Sequence, residues 1–141
     1  NIFSGQSLIG FGVGARSYSK RYHYRNVYDA SNPKEAISSY IRDLEDGKSS
    51  ITGICELSDD DLVRQYVIYN LEHLHTTVFQ EKFGVSYEER FEEQYATMLD
   101  NNLCFVEDDV IYLNSKGLAH RDLIASHFFS DKMKKLESLH R

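Results

Sequence analysis

Between Leu103 and Leu113, two short apolar runs, Leu103-Cys104-Phe105-Val106 and Val110-Ile111-Tyr112-Leu113, are separated by Glu107-Asp108-Asp109. Such runs bracketing a short polar turn predict an antiparallel hairpin. Capped helical patterns flank it. Ser58-Asp59-Asp60-Asp61 opens a helix, because Ser58 can accept from a first-turn N–H and the carboxylates favour the positive helix end. Val63, Val67, Leu71 and Leu74 follow at spacings of four, four and three, which predicts one buried helical face. Phe79 to Gly84 reads as a short helical turn. Ser86 with Glu89 makes a capping box before a helix whose buried side is Tyr87, Phe91, Tyr95, Met98 and Leu99, and Asp100-Asn101-Asn102 ends it. After the hairpin, Asn114 or Ser115 caps a fourth helix with Leu118, Ala119, Leu123, Ile124 and Phe128, and Ser130 starts a last, mostly charged one. This order predicts an α+β, mainly helical chain with a winged-helix unit over about residues 48–129.

The N-terminal part reads differently. Ser7-Leu8-Ile9-Gly10-Phe11-Gly12-Val13-Gly14 predicts a short buried strand running into a glycine-rich turn. Ala15 to Ala30 shows no clean period and reads as a loop. It holds the most basic segment, Lys20-Arg21-Tyr22-His23-Tyr24-Arg25-Asn26. Ser31 or Asn32 then caps a helix that starts near Pro33, carries the apolar stripe Ala36, Ile37, Tyr40, Ile41 and Leu44, and stops at Gly47. The strand at the start has no partner in the chain, so it is expected to complete a sheet in a longer protein. Asn1, with no initiator Met, is read as a cut end. Residues 1–30 and 31–141 are therefore expected to be separate domains.

Composition narrows the function classes. No apolar run approaches the roughly 20 residues of a membrane span, and no signal peptide is visible. Cys55 and Cys104 are too few and too far apart for a disulfide framework or a Cys-rich metal site, and they read as reduced thiols of a cytoplasmic protein. The net charge is −6, which opposes nonspecific nucleic-acid binding. The helix before the hairpin carries Glu88, Glu89, Glu92 and Glu93 with Arg90 alone to offset them, and the hairpin tip is acidic. Phosphates would repel both surfaces, so no nucleic-acid partner and no membrane are expected.

Few residues suggest chemistry. Gly10-x-Gly12-x-Gly14 lets a backbone approach a ligand closely. A dinucleotide fingerprint also needs a helix directly after it, and Arg16 to Asn26 does not supply one. Arg16, Lys20, Arg21 and Arg25 alternate with Tyr18, Tyr22, His23 and Tyr24. Guanidinium groups pair with carboxylates and aromatic faces cover planar rings, so this loop suits a flat polycarboxylate; a solvated surface loop is the competing reading. His73, His75, His120, His127 and His140 lack metal-ligand spacing, although His120 and His127 can share a helix face. No G-x-S-x-G elbow occurs, and capping explains Asp59 and Asp60. No catalytic residue is expected in this chain.

Taken in order, these pieces resemble a known family. Asn1-Ile2-Phe3 and Leu8-Ile9-Gly10-Phe11-Gly12-Val13-Gly14-Ala15-Arg16-Ser17-Tyr18 resemble the last barrel strand of the oxygen-independent coproporphyrinogen III oxidase (coproporphyrinogen dehydrogenase)-like radical S-adenosylmethionine (SAM) family. Arg21-Tyr22, Arg25-Asn26, Tyr40-Ile41 and Gly47 follow. Leu57-Ser58-Asp59-Asp60-Asp61, Arg64, Val67-Ile68, Leu71, Phe83-Gly84, Leu113-Asn114-Ser115-Lys116-Gly117 and Phe128-Phe129 continue the pattern in the family's order.

The resemblance implies a partial (β/α) barrel upstream that holds a [4Fe-4S] cluster on a C-x-x-x-C-x-x-C loop and binds SAM. The barrel cleaves SAM to a radical for oxidative decarboxylation of porphyrinogen propionates in heme biosynthesis. This chain has no such cysteine motif. The resemblance therefore implies a C-terminal piece, inactive alone, whose partners are the upstream barrel and a tetrapyrrole substrate. Residues 1–30 would be its last barrel strand and substrate-side loop. Gly12, Gly14, Ala15, Arg16 and Ser17 would contact SAM, and Arg21, Tyr22 and Arg25 would contact substrate. Relatives with His in place of Arg16 include heme chaperones. A heme-binding or heme-degrading relative, or a noncatalytic winged-helix interaction module, are the alternatives. Loss of the barrel would leave the orphan strand exposed, and a dimer through it is expected.

Overall fold

A computed structural model describes residues 7–138 of the chain. The resemblance at Asn1-Ile2-Phe3 and the histidine at position 140 lie outside the described residues. The chain divides into two compact units, Asn1–Ser58 and Asp59–Arg141. The helix at Pro33 and a strand not foreseen from sequence both belong to the first unit, because that strand pairs with the basic segment.

The first unit contains β1 (Arg16–Tyr18), β2 (Tyr22–Asn26), α1 (Pro33–Glu45) and β3 (Ile51–Glu56). The strands form an antiparallel sheet in the order β1-β2-β3. The region expected to be a loop is thus a hairpin. Its side chains alternate between two faces, but both faces are polar or aromatic, so no hydrophobic period marks it. The expected buried strand over 7–14 is reduced to one bridge, in which Leu8 exchanges backbone hydrogen bonds with Tyr18 at 2.7 and 2.8 Å. The segment therefore has a partner, against expectation, but Ile9 and Phe11 stand exposed. Gly12 and Gly14, at φ 104° and 68°, bend the backbone out of a strand path. In α1, the Asn32 side chain accepts from Glu35 N–H, and Gly47, at φ 66°, closes the end. Ala36 alone of the apolar stripe is buried; Ile37, Ile41 and Leu44 are about half exposed.

The second unit runs α2 (Asp59–Tyr69), β4 (His73–His75), α3 (Thr76–Phe83), α4 (Tyr87–Arg90), α5 (Glu92–Asp100), β5 (Cys104–Glu107), β6 (Val110–Leu113), α6 (Ser115–Ala119), α7 (Arg121–Ser126) and α8 (Asp131–Ser138). Its sheet is antiparallel with the order β4-β6-β5. The β5–β6 turn holds Asp108 and Asp109 at φ 49° and 62°, the left-handed pair that matches the twist of a two-residue hairpin. Ser86 and Asn114 cap their helices as expected, accepting from Glu89 and Gly117 N–H.

Three expectations fail here for local reasons. The stripe Val63, Val67, Leu71 and Leu74 is packed inward, but α2 ends at Tyr69 and Leu74 lies in β4. A strand side chain and a helix side chain can continue one apolar spacing. His73 and His75 therefore flank Leu74 as exposed residues of a strand. The helix before the hairpin breaks at Phe91, and Leu99, expected on its buried side, is exposed; the helix after the hairpin breaks at His120.

The core of this unit is aromatic. Phe79, Tyr87, Phe91 and Phe128 are each 1% exposed or less. Their ring centroids lie 5.3–6.4 Å apart in tilted or edge-on pairs, the geometry that the aromatic quadrupole favours. Gly117 is buried where α6 crosses the hairpin. A Cβ there would collide with the Leu103 carbonyl oxygen and press on Leu113 Cβ at 3.2 Å. Gly117→Ala should lower stability by about 1–3 kcal/mol, the usual range for overpacking, measured by urea denaturation; an unchanged midpoint would contradict this packing.

Candidate functional site

The glycine-rich turn is held from inside by three polar side chains. Ser17, 1% exposed, accepts from Gly10 N–H at 3.0 Å. Asn26, 8% exposed, donates its amide to the Gly12 carbonyl at 2.9 Å and to the Gly10 carbonyl at 3.4 Å. Tyr40 of α1 accepts from Gly12 N–H at 3.0 Å. Backbone bonds finish the frame: Ala15 N–H donates to Gly12 O, Gly14 N–H to Val27 O, and Asn26 N–H to Ala15 O. Buried polar groups persist when paired in this way. Gly14 is required as glycine twice, by its φ of 68° and because a Cβ would meet the Tyr28 ring at 2.9 Å. Among the described residues no atom lies within 4 Å of where a Cβ on Gly12 would sit, so they leave that side of its backbone uncovered.

Strand register sorts the basic residues. Arg16 pairs with Arg25, Ser17 with Tyr24 and Tyr18 with His23. Arg16, Tyr18, His23 and Arg25 therefore share one face of the sheet, and Ser17, Tyr22, Tyr24 and Asn26 share the other. Two arginines at one register position oppose pairing, and guanidinium groups are strong partners for carboxylates. The Arg25 guanidinium also lies 5.3 Å over the Tyr28 ring. Tyr22 leaves this group: its hydroxyl reaches the Glu56 carboxylate at 3.4 Å on the opposite face. Arg21 sits at the β1–β2 turn, where its carbonyl accepts from Leu57 N–H. Of the expected contact residues, the fold thus brings Gly12, Gly14, Ala15, Arg16 and Arg25 into one neighbourhood. Ser17 serves that neighbourhood from below.

Asn26 and Tyr40 were not foreseen as parts of this site. In the sequence Asn26 is a polar residue of a basic run and Tyr40 a member of a helical stripe, and the family pattern that includes both gives neither a role. No local pattern announces a hydrogen bond across 28 positions.

The residues present fit one implied group and not the other. An open glycine backbone beside two arginines suits the carboxylate end of SAM, which is a net cation with one carboxylate. A [4Fe-4S] cluster does not fit: Cys55 lies in β3, Cys104 is buried in β5, burial raises the Cys104 thiol pKa, and no group of His, Cys, Asp and Glu among the described residues could hold a metal.

Burial also lowers the His23 pKa below its ordinary 6.5. Between the folded value and 6.5 the unfolded chain binds more protons than the folded one. His23 therefore contributes stability that is complete above about pH 6.5 and is lost as the pH falls through the folded value. Denaturation at pH 7.5 and pH 5 should find the chain less stable at pH 5, and His23→Gln should narrow that difference. An unaltered difference would remove His23 as a source.

No family model matches the chain, and no curated protein matches it. A solved structure does: coproporphyrinogen III oxidase (HemN) from Escherichia coli, described as a radical SAM enzyme, with a TM-score of 0.71 and 19% sequence identity. The match covers 89% of this chain and 29% of that one, so the chain spans less than a third of the enzyme's length. Among the described residues no helix is long and apolar enough to cross a membrane. The chain has the fold of a portion of a radical SAM coproporphyrinogen oxidase.

Proposed function

We propose that this chain is the C-terminal part of a radical SAM enzyme related to oxygen-independent coproporphyrinogen III oxidase, and that its first unit lines the chamber where SAM and a carboxylated tetrapyrrole meet. The fold likeness over 89% of the chain carries this reading. The ordered motifs from Leu8 to Phe129 support it independently.

In this reading Gly12, Gly14 and Ala15 present open backbone to SAM, and Arg16 stands at the junction with substrate. Ser17, Asn26 and Tyr40 position that backbone. Arg25 faces the same way as Arg16 and, with Tyr28 behind it, holds a substrate carboxylate; Arg21 and Tyr22 act from the hairpin tip and the other face. Cluster ligation falls to residues outside this chain. The second unit, read as a winged helix, has Glu88, Glu89, Glu92 and Glu93 exposed on α4 and α5, where a nucleic-acid reader would carry cations. It is therefore a scaffold or protein-contact module.

The first test is the intact parent enzyme, purified without oxygen. About four irons per chain and 5′-deoxyadenosine formed on reduction are expected. An iron-free parent that leaves SAM intact would mean that the fold is shared and the chemistry is not. In an active parent, Arg16→Ala should weaken tetrapyrrole affinity about tenfold, the scale of one charge-assisted hydrogen bond. Unchanged affinity and turnover would remove Arg16 from the site.

A further inference from the structure

The second unit contains a cavity of about 300 Å³ bounded by α5, α6 and α7. That volume lies at the lower end of small-molecule sites. Its inner wall is apolar, made by Met98, Leu103, Ile124 and Phe128, with Leu123 beside them. Lys116, His120 and His127 also line it, and all three are exposed, which places them towards its mouth. Among the described residues no Asp or Glu lines it, although the chain carries 22 acidic residues against 16 Lys and Arg. The three bases come from one helix–turn–helix stretch, in which the break at His120 separates α6 from α7.

Lys116 is held in place. Its ammonium donates to the Asn101 carbonyl at 2.9 Å. An ammonium has three N–H donors, and that carbonyl takes one of them. His120 and His127 add ring N–H donors at the same opening. Apolar depth under a cationic, donor-rich mouth selects a ligand with a hydrocarbon body and one anionic end: the body leaves water for the Phe128 side, and the charge stays with Lys116.

We infer that this cavity binds a small amphipathic carboxylate. The site stands independently of the radical SAM reading, because the cavity belongs wholly to the second unit and uses no residue of the glycine-rich turn. The experiment is a titration of the full isotope-labelled chain with octanoate, followed by amide chemical shifts. Saturable shifts confined to residues 94–103 and 116–128 are expected. 1-Octanol, which has the same tail without the charge, should bind about tenfold more weakly, the worth of one charged contact, and octylammonium more weakly still. Lys116→Gln combined with His127→Gln should lower octanoate affinity about tenfold and leave octanol binding unchanged. Leu123→Trp, at a position 62% exposed and so compatible with folding, should occlude the cavity and abolish both. Equal affinity for octanoate and octylammonium, shifts scattered over the chain, or no saturable shift would each overturn the site.

Discussion

Phe91 ends α4 and begins α5 with one backbone conformation, φ −129° and ψ 41°. Its ring meets Phe79, Tyr87 and Phe128 within 6.3 Å, and the guanidinium groups of Arg64 and Arg90 lie 5.7 and 5.4 Å from its centroid. The helix break is therefore also the packing centre. Straightening the helix would withdraw the ring from three aromatic partners, each contact worth about 0.5–1.5 kcal/mol beyond burial. The arginines are committed in turn. Asp60 pairs with both, and Arg64 donates to the Phe128 carbonyl at 3.1 Å. Ser130 donates to the buried Asp61 carboxylate at 2.7 Å. The carboxylates that open α2 thus tie the end of α7 and the start of α8 to the aromatic core. They do more than favour a helix terminus.

The first unit is organised on another principle. It has little apolar interior among the described residues: Ala36 and Leu57 are its buried hydrophobics, while Ser17, Asn26 and Ser50 are its buried polar groups. Hydrogen bonds to backbone, not hydrophobic contact, define the path from Gly10 to Gly14. Such a frame keeps a loop in one conformation before any ligand arrives, which reduces the ordering cost of binding.

Legibility followed the locality of the signal. Asn32, Ser86 and Asn114 were readable as caps because each bonds an N–H three residues on, and the hairpin was readable because its apolar runs flank its own turn. The strands β2 and β3 were not readable. In Tyr22–Asn26 both faces are polar or aromatic, and Ile51–Glu56 leaves Ile54 71% exposed, so neither shows the contrast that periodicity detects. Leu71 and Leu74 misled in the opposite sense, since an apolar spacing continued after the helix had stopped. At the candidate site, the arginines and glycines were visible as residue types. Their sorting onto faces required the register of a sheet not foreseen from sequence.

Charge distribution connects the two units to their proposed roles. Residues 1–58 carry seven Lys and Arg against six Asp and Glu, and residues 59–141 carry nine against sixteen. The second unit therefore carries −7 and the first +1, which sum to the net −6. An anionic substrate would meet near-neutral protein at the first unit, with Arg16 and Arg25 concentrated on one sheet face. Placing two arginines at one register position costs pairing energy, and a carboxylate bound by both would reverse the sign of that cost. In the second unit the acidic surface would repel the same ligand by long-range field, so a carboxylate could lodge only where local bases outweigh it. The mouth of the cavity between α5 and α7, lined by Lys116, His120 and His127 and, among the described residues, by no acid, meets that condition.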